Sequence, residues 1–233
     1  MIELEAASVA VRTTDGGVRV LLEPVTATLA ERRVAIIGAN GSGKSTLART
    51  LNGLVLPTSG TVRIDGLDTA RDGAAVRRRV GFVFTDPDAQ LVMPTPAEDV
   101  ALSLRRSYPR APERDSAVRA VLTRFGLGGH ADVPVHALSG GQKQLLALAG
   151  VLATEPTVLV CDEPTTLLDI RWRRVVDDLL GSLEQQVVLV THDLDAAARA
   201  DRVLVVDDGR VVADAGPGQA IERYLDLMSA RPA

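Results

Sequence analysis

The sequence predicts an α/β fold with a mostly parallel sheet, an antiparallel β subdomain at the N-terminus and an inserted helical subdomain. Three observations carry this. Short apolar runs alternate with longer helical patterns along the chain. Two of those runs, Val158-Leu159-Val160-Cys161 and Val187-Val188-Leu189-Val190, are apolar without interruption, the mark of strands buried on both faces of a parallel sheet. Strand signals then vanish between Asp86 and Ala137, where charged, helix-prone segments replace them.

Taken in order, the first 30 residues alternate and carry Asp15-Gly16-Gly17, which reads as an antiparallel edge sheet. Val34-Ala35-Ile36-Ile37 is a short strand ending at Gly38, and a helix opens at Lys44. Val80 to Phe84 is a further strand. Pro112 to Phe125 is the plainest helix of the inserted part, which is expected over about residues 86–150. A helix follows from Gln142 to Thr154, then the two buried strands. Val203 to Val206 and Val211-Val212 flank Asp207-Asp208-Gly209 as a hairpin, and a last helix is expected from Pro217. The whole, residues 1–233, reads as one domain carrying its subdomains.

Composition narrows the function. Apolar residues make up 46% and charged residues 24%, the balance of a folded globular chain. A formal charge of −4 argues against nucleic acid as the main partner, which usually calls for a basic surplus. The single cysteine, Cys161, leaves no internal disulfide and fits a reducing compartment. No basic stretch opens the chain as a secretory signal would, and the longest uncharged apolar run, Leu145 to Ala153, is too short to cross a bilayer. Any membrane role is therefore expected to be peripheral. Of the 26 basic residues only Lys44 and Lys143 are lysines, and both lie in motifs.

The first motif is Gly38-Ala39-Asn40-Gly41-Ser42-Gly43-Lys44-Ser45-Thr46, between a predicted strand and a predicted helix. Its glycines let backbone N–H groups turn toward phosphate oxygens, and the helix start adds positive potential. This predicts a P-loop NTPase core, that of a nucleoside triphosphatase. Lys44 is expected on the β- and γ-phosphates of ATP and Ser45 on Mg2+. The second motif is the buried strand ending in Asp162-Glu163, at the sheet edge where α/β proteins bind ligands. Asp162 suits water-mediated contact with Mg2+, and Glu163 suits a general base or water-positioning role. Cys161 in the same strand reads as a small buried apolar residue, not a reactive thiol. The third is Leu138-Ser139-Gly140-Gly141-Gln142, a second glycine-rich helix start able to face an anion. One ATP does not need two such cradles, so the simplest use is on ATP held by a second copy.

With these residues in place the chain resembles the ATP-binding-cassette (ABC) ATPases over nearly its whole length, Leu138 to Gln142 being that family's signature. The resemblance implies that Thr191-His192-Asp193 is the switch region, with His192 contacting the γ-phosphate. Pro164-Thr165-Thr166-Leu167-Leu168-Asp169 resembles the family's D-loop. Gly81 to Leu91 and Glu163 to Arg171 are similar to the short energy-coupling-factor ATPases that drive vitamin and metal-ion uptake, the biotin-transporter type in particular. His130 and His136 match no motif and read as surface residues.

Two positions depart from that pattern. The family usually carries glutamine after the strand ending at Phe84; here it is Thr85, expected to reach metal only through a water, and Gln90 lies too far along to replace it. No aromatic residue precedes Phe82, so the ring that the family stacks on adenine is missing. Thr13 takes its place, beside Arg12, whose guanidinium is the expected substitute.

The resemblance implies an ATP hydrolase whose head-to-tail dimer, homo- or heteromeric, closes on ATP and drives uptake through separate integral-membrane subunits, from the cytoplasmic face of the membrane. A vitamin or metal ion, biotin first, is the expected cargo. The alternatives are a conventional ABC importer or exporter ATPase and a soluble ABC ATPase. The last usually has two cassettes or a long insertion and a basic face, none of which is visible. A P-loop kinase or GTPase has no use for Leu138 to Gln142.

Overall fold

The N-terminal alternation folds as the sequence suggests: Ile2, Leu4, Ala7 and Val9 are buried while their neighbours are more exposed. In a computed structural model that describes residues 1–230, they lie on β1 (Ile2–Arg12), which pairs antiparallel with β2 (Val18–Leu29). β3 (Arg33–Ile37) leads into α1 (Lys44–Thr50), followed by β4 (Ser59–Ile64), β5 (Leu67–Asp68) and α2 (Gly73–Arg79). The antiparallel sheet has the order β2-β1-β4-β5. Its pairing shifts register around Ala6, which sits at φ 46°. Gly60 on β4 faces that bulge, and a Cβ there would fall 2.1 Å from the Ala6 carbonyl oxygen, so only glycine fits.

The chain then runs through β6 (Val80–Val83), α3 (Pro96–Leu104), α4 (Ala111–Arg124), α5 (Gly140–Leu152) and β7 (Val158–Asp162). It continues with α6 (Ile170–Ser182), β8 (Gln186–Val190), α7 (Leu194–Ala197), β9 (Arg202–Asp207), β10 (Arg210–Ala215) and α8 (Pro217–Ser229). β7 pairs with β8, β8 with β3, and β3 with β9, all parallel, and β10 closes the edge antiparallel to β9. β7 is buried at all five positions, as an unbroken apolar strand must be in a parallel sheet. Ala35, Ile37, Val203 and Val205 meet Ala197 of α7 and Ala220 of α8 in one apolar cluster. Burial of this kind supplies the main favourable term, about 25 cal/mol per Å2 of apolar surface. Cys161 lies fully buried in β7, and burial pushes its thiol pKa up, away from reactivity.

The residues fall into two compact units. The first takes Met1–Val80, Thr157–Glu163 and the chain from Leu183 on; the second takes Gly81–Pro156 and Pro164–Ser182. The second unit is helical at its centre, with Val100, Leu104, Val118, Leu122, Leu146 and Leu148 buried. Thr95 caps α3 by accepting from the Glu98 N–H at 3.3 Å, and Pro96 occupies the position where a missing N–H costs nothing. The buried carboxylate of Asp99 accepts from the N–H groups of Val92 and Met93 at 2.9 and 3.0 Å, fixing the segment before the helix. α5 begins at Gly140 and not at Gln142, because Ser139 and Gln142 form a capping box that places the helix start two residues earlier.

His130 corrects the expectation of a surface residue. It is half-buried, its Nε2 lies 3.0 Å from the Gln142 side-chain nitrogen, and its Nδ1 is buried without a partner among the described residues. His136 is exposed, as read.

One polar knot ties the sheets of the first unit. Arg202 on β9 makes a two-bond pair with Asp214 on β10, at 2.6 and 2.7 Å. It also donates to the Thr28 carbonyl at 2.8 Å and to Glu31 at 3.1 Å. Burial tends to raise the Glu31 carboxyl, but backbone N–H groups and the Arg202 guanidinium outweigh it and hold the pKa below its ordinary value. Such a group adds stability above its unfolded pKa and loses it as pH falls through the folded one. Glu31→Gln should therefore lower Tm at pH 7 but flatten the fall in Tm below about pH 4.3, the ordinary glutamate value. Arg202→Ala should cost about 1–2 kcal/mol in urea unfolding at pH 7, since both carboxylates lose their partner.

Candidate active site

The parallel strands β3, β7 and β8 end side by side, and each delivers a motif to the same edge of the sheet. From β3 comes the loop 38–43. Backbone approaches there are close. A Cβ on Gly38 would lie 2.0 Å from the Val206 carbonyl oxygen, and one on Gly43 would lie 2.8 Å from the Leu21 carbonyl oxygen. The turn between β9 and β10 locks the loop from the other side. Gly209 N–H donates to the Ser42 carbonyl at 2.8 Å, and the Gly209 carbonyl accepts from Glu23 N–H at 2.8 Å. The loop is thus threaded between β2 and the 208–209 turn.

Asn40 and Gly41 stand exposed at the loop crest, while Ser42 and Lys44 are buried. The Ser42 hydroxyl has no hydrogen-bond partner among the described residues, an orphaned polar atom in a phosphate-shaped loop. Lys44 donates to the Ala39 carbonyl at 2.9 Å and lies 3.9 Å from Glu163 Oε1. Burial pulls its pKa below the ordinary lysine value, against the opposing charges of Glu163 and Asp162. A cleft of about 210 Å3 opens over residues 41–46, walled by Arg19, Val20 and Leu21 of β2 and by Asp208 and Gly209.

From β7 come the two carboxylates. Asp162 is 2% exposed, and its Oδ1 accepts from the Ser45 hydroxyl at 2.8 Å. Glu163 follows at φ 50°, a backbone strain common where a side chain must be aimed. Its Oε2 lies 3.2 Å from His192 Nδ1, which β8 delivers. Lys44, Ser45, Asp162, Glu163 and His192, picked from the sequence as a set, are therefore brought together. Arg49 was missed. It lies one turn beyond Ser45 on α1, and its guanidinium donates to Asp162 Oδ2 at 3.4 Å. Its i, i+4 spacing from Ser45 is the signal that could have found it.

Arg12 and Thr13 are placed elsewhere. Arg12 ends β1 in an exposed position, and neither residue lines the cleft. The Thr13 hydroxyl is spent on Asp15, and its N–H donates to the Gly17 carbonyl at 3.0 Å, closing the β1–β2 turn.

The remaining site residues belong to the second unit. Ser139, Gly140, Gly141 and Gln142 start α5. Gly141 is pressed by the only tryptophan: a Cβ there would fall 2.0 Å from the Trp172 ring. Trp172 rides on α6, whose first turn is capped by Asp169 accepting from the Trp172 N–H at 2.9 Å. Thr85 is half-buried after β6. Gln90 has both ends engaged, accepting from Phe84 N–H at 3.1 Å and donating to the Ala147 carbonyl at 3.4 Å. Lys143, the second lysine, holds Asp88 with both carboxylate oxygens, at 2.7 and 2.9 Å.

The family model for ABC transporters matches residues 22–166. A Deinococcus radiodurans protein described as an ABC transporter ATP-binding protein is 48% identical over 211 residues, 91% of this chain and 93% of its own. The biotin transport ATP-binding protein BioM of Rhizobium etli is 43% identical over 211 residues, 91% and 94% of the two chains. The energy-coupling factor transporter ATP-binding protein EcfA1 of Levilactobacillus brevis is 42% identical over 200 residues, 84% and 72%. Among solved structures, the dimeric ATP-binding cassette MJ0796 bound to ADP and Pi superposes with a TM-score of 0.83 at 31% identity, covering 93% of this chain and 99% of its own. CbiO1 of Clostridium perfringens, part of the ABC transporter complex cbiONQ, gives 0.80 at 31% identity, covering 97% and 93%. With a family model over more than half of its length and relatives this close over nine-tenths of it, the chain belongs to the ABC transporter family as an ATP-binding, ATP-hydrolysing subunit.

Proposed function

We propose that this subunit hydrolyses Mg2+-bound ATP within a head-to-tail pair of cassettes and powers an energy-coupling-factor type importer. The observation that carries the catalytic part is the meeting of Lys44, Ser45, Asp162, Glu163 and His192 at one sheet edge. In this reading residues 38–46 cradle the phosphates, with Asn40 and Thr46 contributing from the rim. Ser45 and Asp162 form an oxygen-only donor pair, which fits Mg2+, an ion that takes its other ligands from phosphate and water. No cluster of three or more His, Cys, Asp or Glu side chains among the described residues could hold a metal alone, in keeping with a metal that arrives with the nucleotide. Bound there, the ion neutralises phosphate charge. Thr85 is proposed to reach it only through water.

Glu163 accepts a proton from the water that attacks the γ-phosphorus. The new P–O bond forms as the bond to ADP breaks, and the proton later leaves with phosphate. His192 holds Glu163 through Oε2 and contacts the γ-phosphate from the other side. Ser139, Gly140, Gly141 and Gln142 complete the site of the opposite copy. The partners are thus a second cassette, identical or homologous, and integral-membrane subunits, with no role for nucleic acid. In this reading the chain acts at the cytoplasmic face of the membrane, as likeness to transporter ATP-binding subunits suggests; no helix among the described residues is long and apolar enough to cross a membrane. Likeness to BioM, to EcfA1 and to a cbiONQ component supports uptake of a vitamin or metal ion, biotin first.

Lys44→Ala should weaken ATP binding about 100-fold or more by calorimetry, because a buried charge-assisted contact is lost. Glu163→Gln should keep binding while kcat falls about 10²–10⁴-fold, and should accumulate as a dimer with Mg2+ and ATP in size-exclusion chromatography. A monomer at saturating ATP would count against the paired model.

Ser139→Arg should bind nucleotide normally as a monomer and lose hydrolysis, since the signature serves the other copy. A large loss of ATP affinity in the monomer would show that it acts within its own chain.

The importer reading is checked by co-purification from detergent-solubilised membranes of the native host. Recovery with small integral-membrane subunits and biotin- or metal-stimulated ATPase activity is the expected result. Recovery with an exporter pore would overturn it.

A further inference from the structure

We propose that Arg19, not Arg12 or Thr13, is the side chain that holds the nucleobase. It lies with Val20 against the cleft above the P-loop, and its guanidinium plane takes the purine face. The proposal rests on ATP occupying that cleft. The chain has no aromatic residue before Phe82, so no ring in the N-terminal sheet can stack a base. Thr13 is committed to the β1–β2 turn through Asp15 and Gly17, and Arg12 does not line the cleft. Arg19, by contrast, walls the same cleft as residues 41–46. Its side chain is exposed and has no hydrogen-bond or ion-pair partner among the described residues. Asp208, which lines the same cleft, makes no ion pair with it among the described residues, so Arg19 is not neutralised by it.

The strand places this arginine beside the loop. On β2 the Leu21 carbonyl backs onto the P-loop at Gly43, and Arg19, two residues earlier and paired with Val11 of β1, lines the same cleft. A nucleotide whose phosphates sit in 41–46 must run its ribose and base out along that wall. Val20, 48% exposed, also lines this cleft. A guanidinium is planar, weakly hydrated and stacks on aromatic faces, which a lysine would not do. Stacking reads the face of a base and not its edge, so adenine and guanine should be held almost alike.

The test uses the intact protein and ligands that it does not hydrolyse: ADP, GDP, CDP and inorganic pyrophosphate, each with Mg2+, by titration calorimetry. Wild type should bind ADP and GDP within about threefold of each other and CDP more weakly, because a pyrimidine offers less face. Arg19→Ala should weaken ADP and GDP about tenfold each and leave pyrophosphate unchanged, while Arg12→Ala changes none of them. Arg19→Tyr should recover ADP affinity, because it restores a face without the charge. An equal loss of pyrophosphate binding in Arg19→Ala would make Arg19 a phosphate contact and overturn the proposal. Unchanged ADP binding in Arg19→Ala, with binding abolished in Lys44→Ala, would also overturn it while leaving the P-loop reading intact. A wild type with no ADP binding at all would remove both. Thermal unfolding of Arg19→Ala should match wild type, as the position is exposed.

Discussion

The close backbone packing around the P-loop is the constraint on which the rest depends. Gly38 has no room for a Cβ because the Val206 carbonyl is there, and Gly43 has none because the Leu21 carbonyl is there. The 208–209 turn then bonds to both the loop and β2. Three segments far apart in sequence are thereby held at one place by main-chain atoms alone. Side chains at the site inherit that precision: Lys44 can be both buried and aimed, and Ser45 can meet Asp162 at ordinary hydrogen-bond length. Main-chain clamping of this kind suits a site whose work is electrostatic positioning, because it costs little reorganisation when charge develops.

The strand ends add the chemistry. A parallel sheet brings the C-terminal ends of β3, β7 and β8 to one edge, so phosphate cradle, carboxylate pair and histidine need no further design to converge. Glu163 is the exception that shows strain. It adopts a left-handed backbone, and its two oxygens face His192 and Lys44. A glutamate on a relaxed strand extension would point out to one face of the sheet. The cost of a non-glycine residue there, of order 1–3 kcal/mol, is offset by β7 being buried at every position.

Much of this was legible beforehand, and the reasons differ by residue. The buried strands 158–161 and 187–190 were readable because two-sided burial leaves no polar position to confuse the period. The P-loop was readable because its glycines answer to backbone geometry that no other residue meets. Arg49 was not, since in a chain with 24 arginines its i, i+4 spacing from Ser45 stands out only once its distance to Asp162 is known. Arg12 and Thr13 were chosen by position along a matching pattern, and the hairpin turn removes Thr13 for a local reason, its hydroxyl bonding to Asp15. His130 reads from the sequence as a surface residue because it matches no motif; its contact with Gln142 is made across twelve residues of chain and leaves no periodic trace.

The scarcity of lysine has a physical reading of its own. Arginine has taken every basic position except two, and those two share a demand that a guanidinium meets poorly. Lys44 must fit its charge into a loop where it is 5% exposed and must reach past the Ala39 carbonyl as a compact point donor. Lys143 meets both oxygens of Asp88 from a side chain that is 16% exposed, again with a single nitrogen. Arg202 with Asp214, at 22% and 31% exposure, uses the fork instead and makes two bonds. Both retained lysines thus act through a single nitrogen in a sequence whose other side-chain cations are guanidinium groups. Lys143 is accordingly a structural tie for the segment after Thr85, as Lys44 is for the phosphate loop.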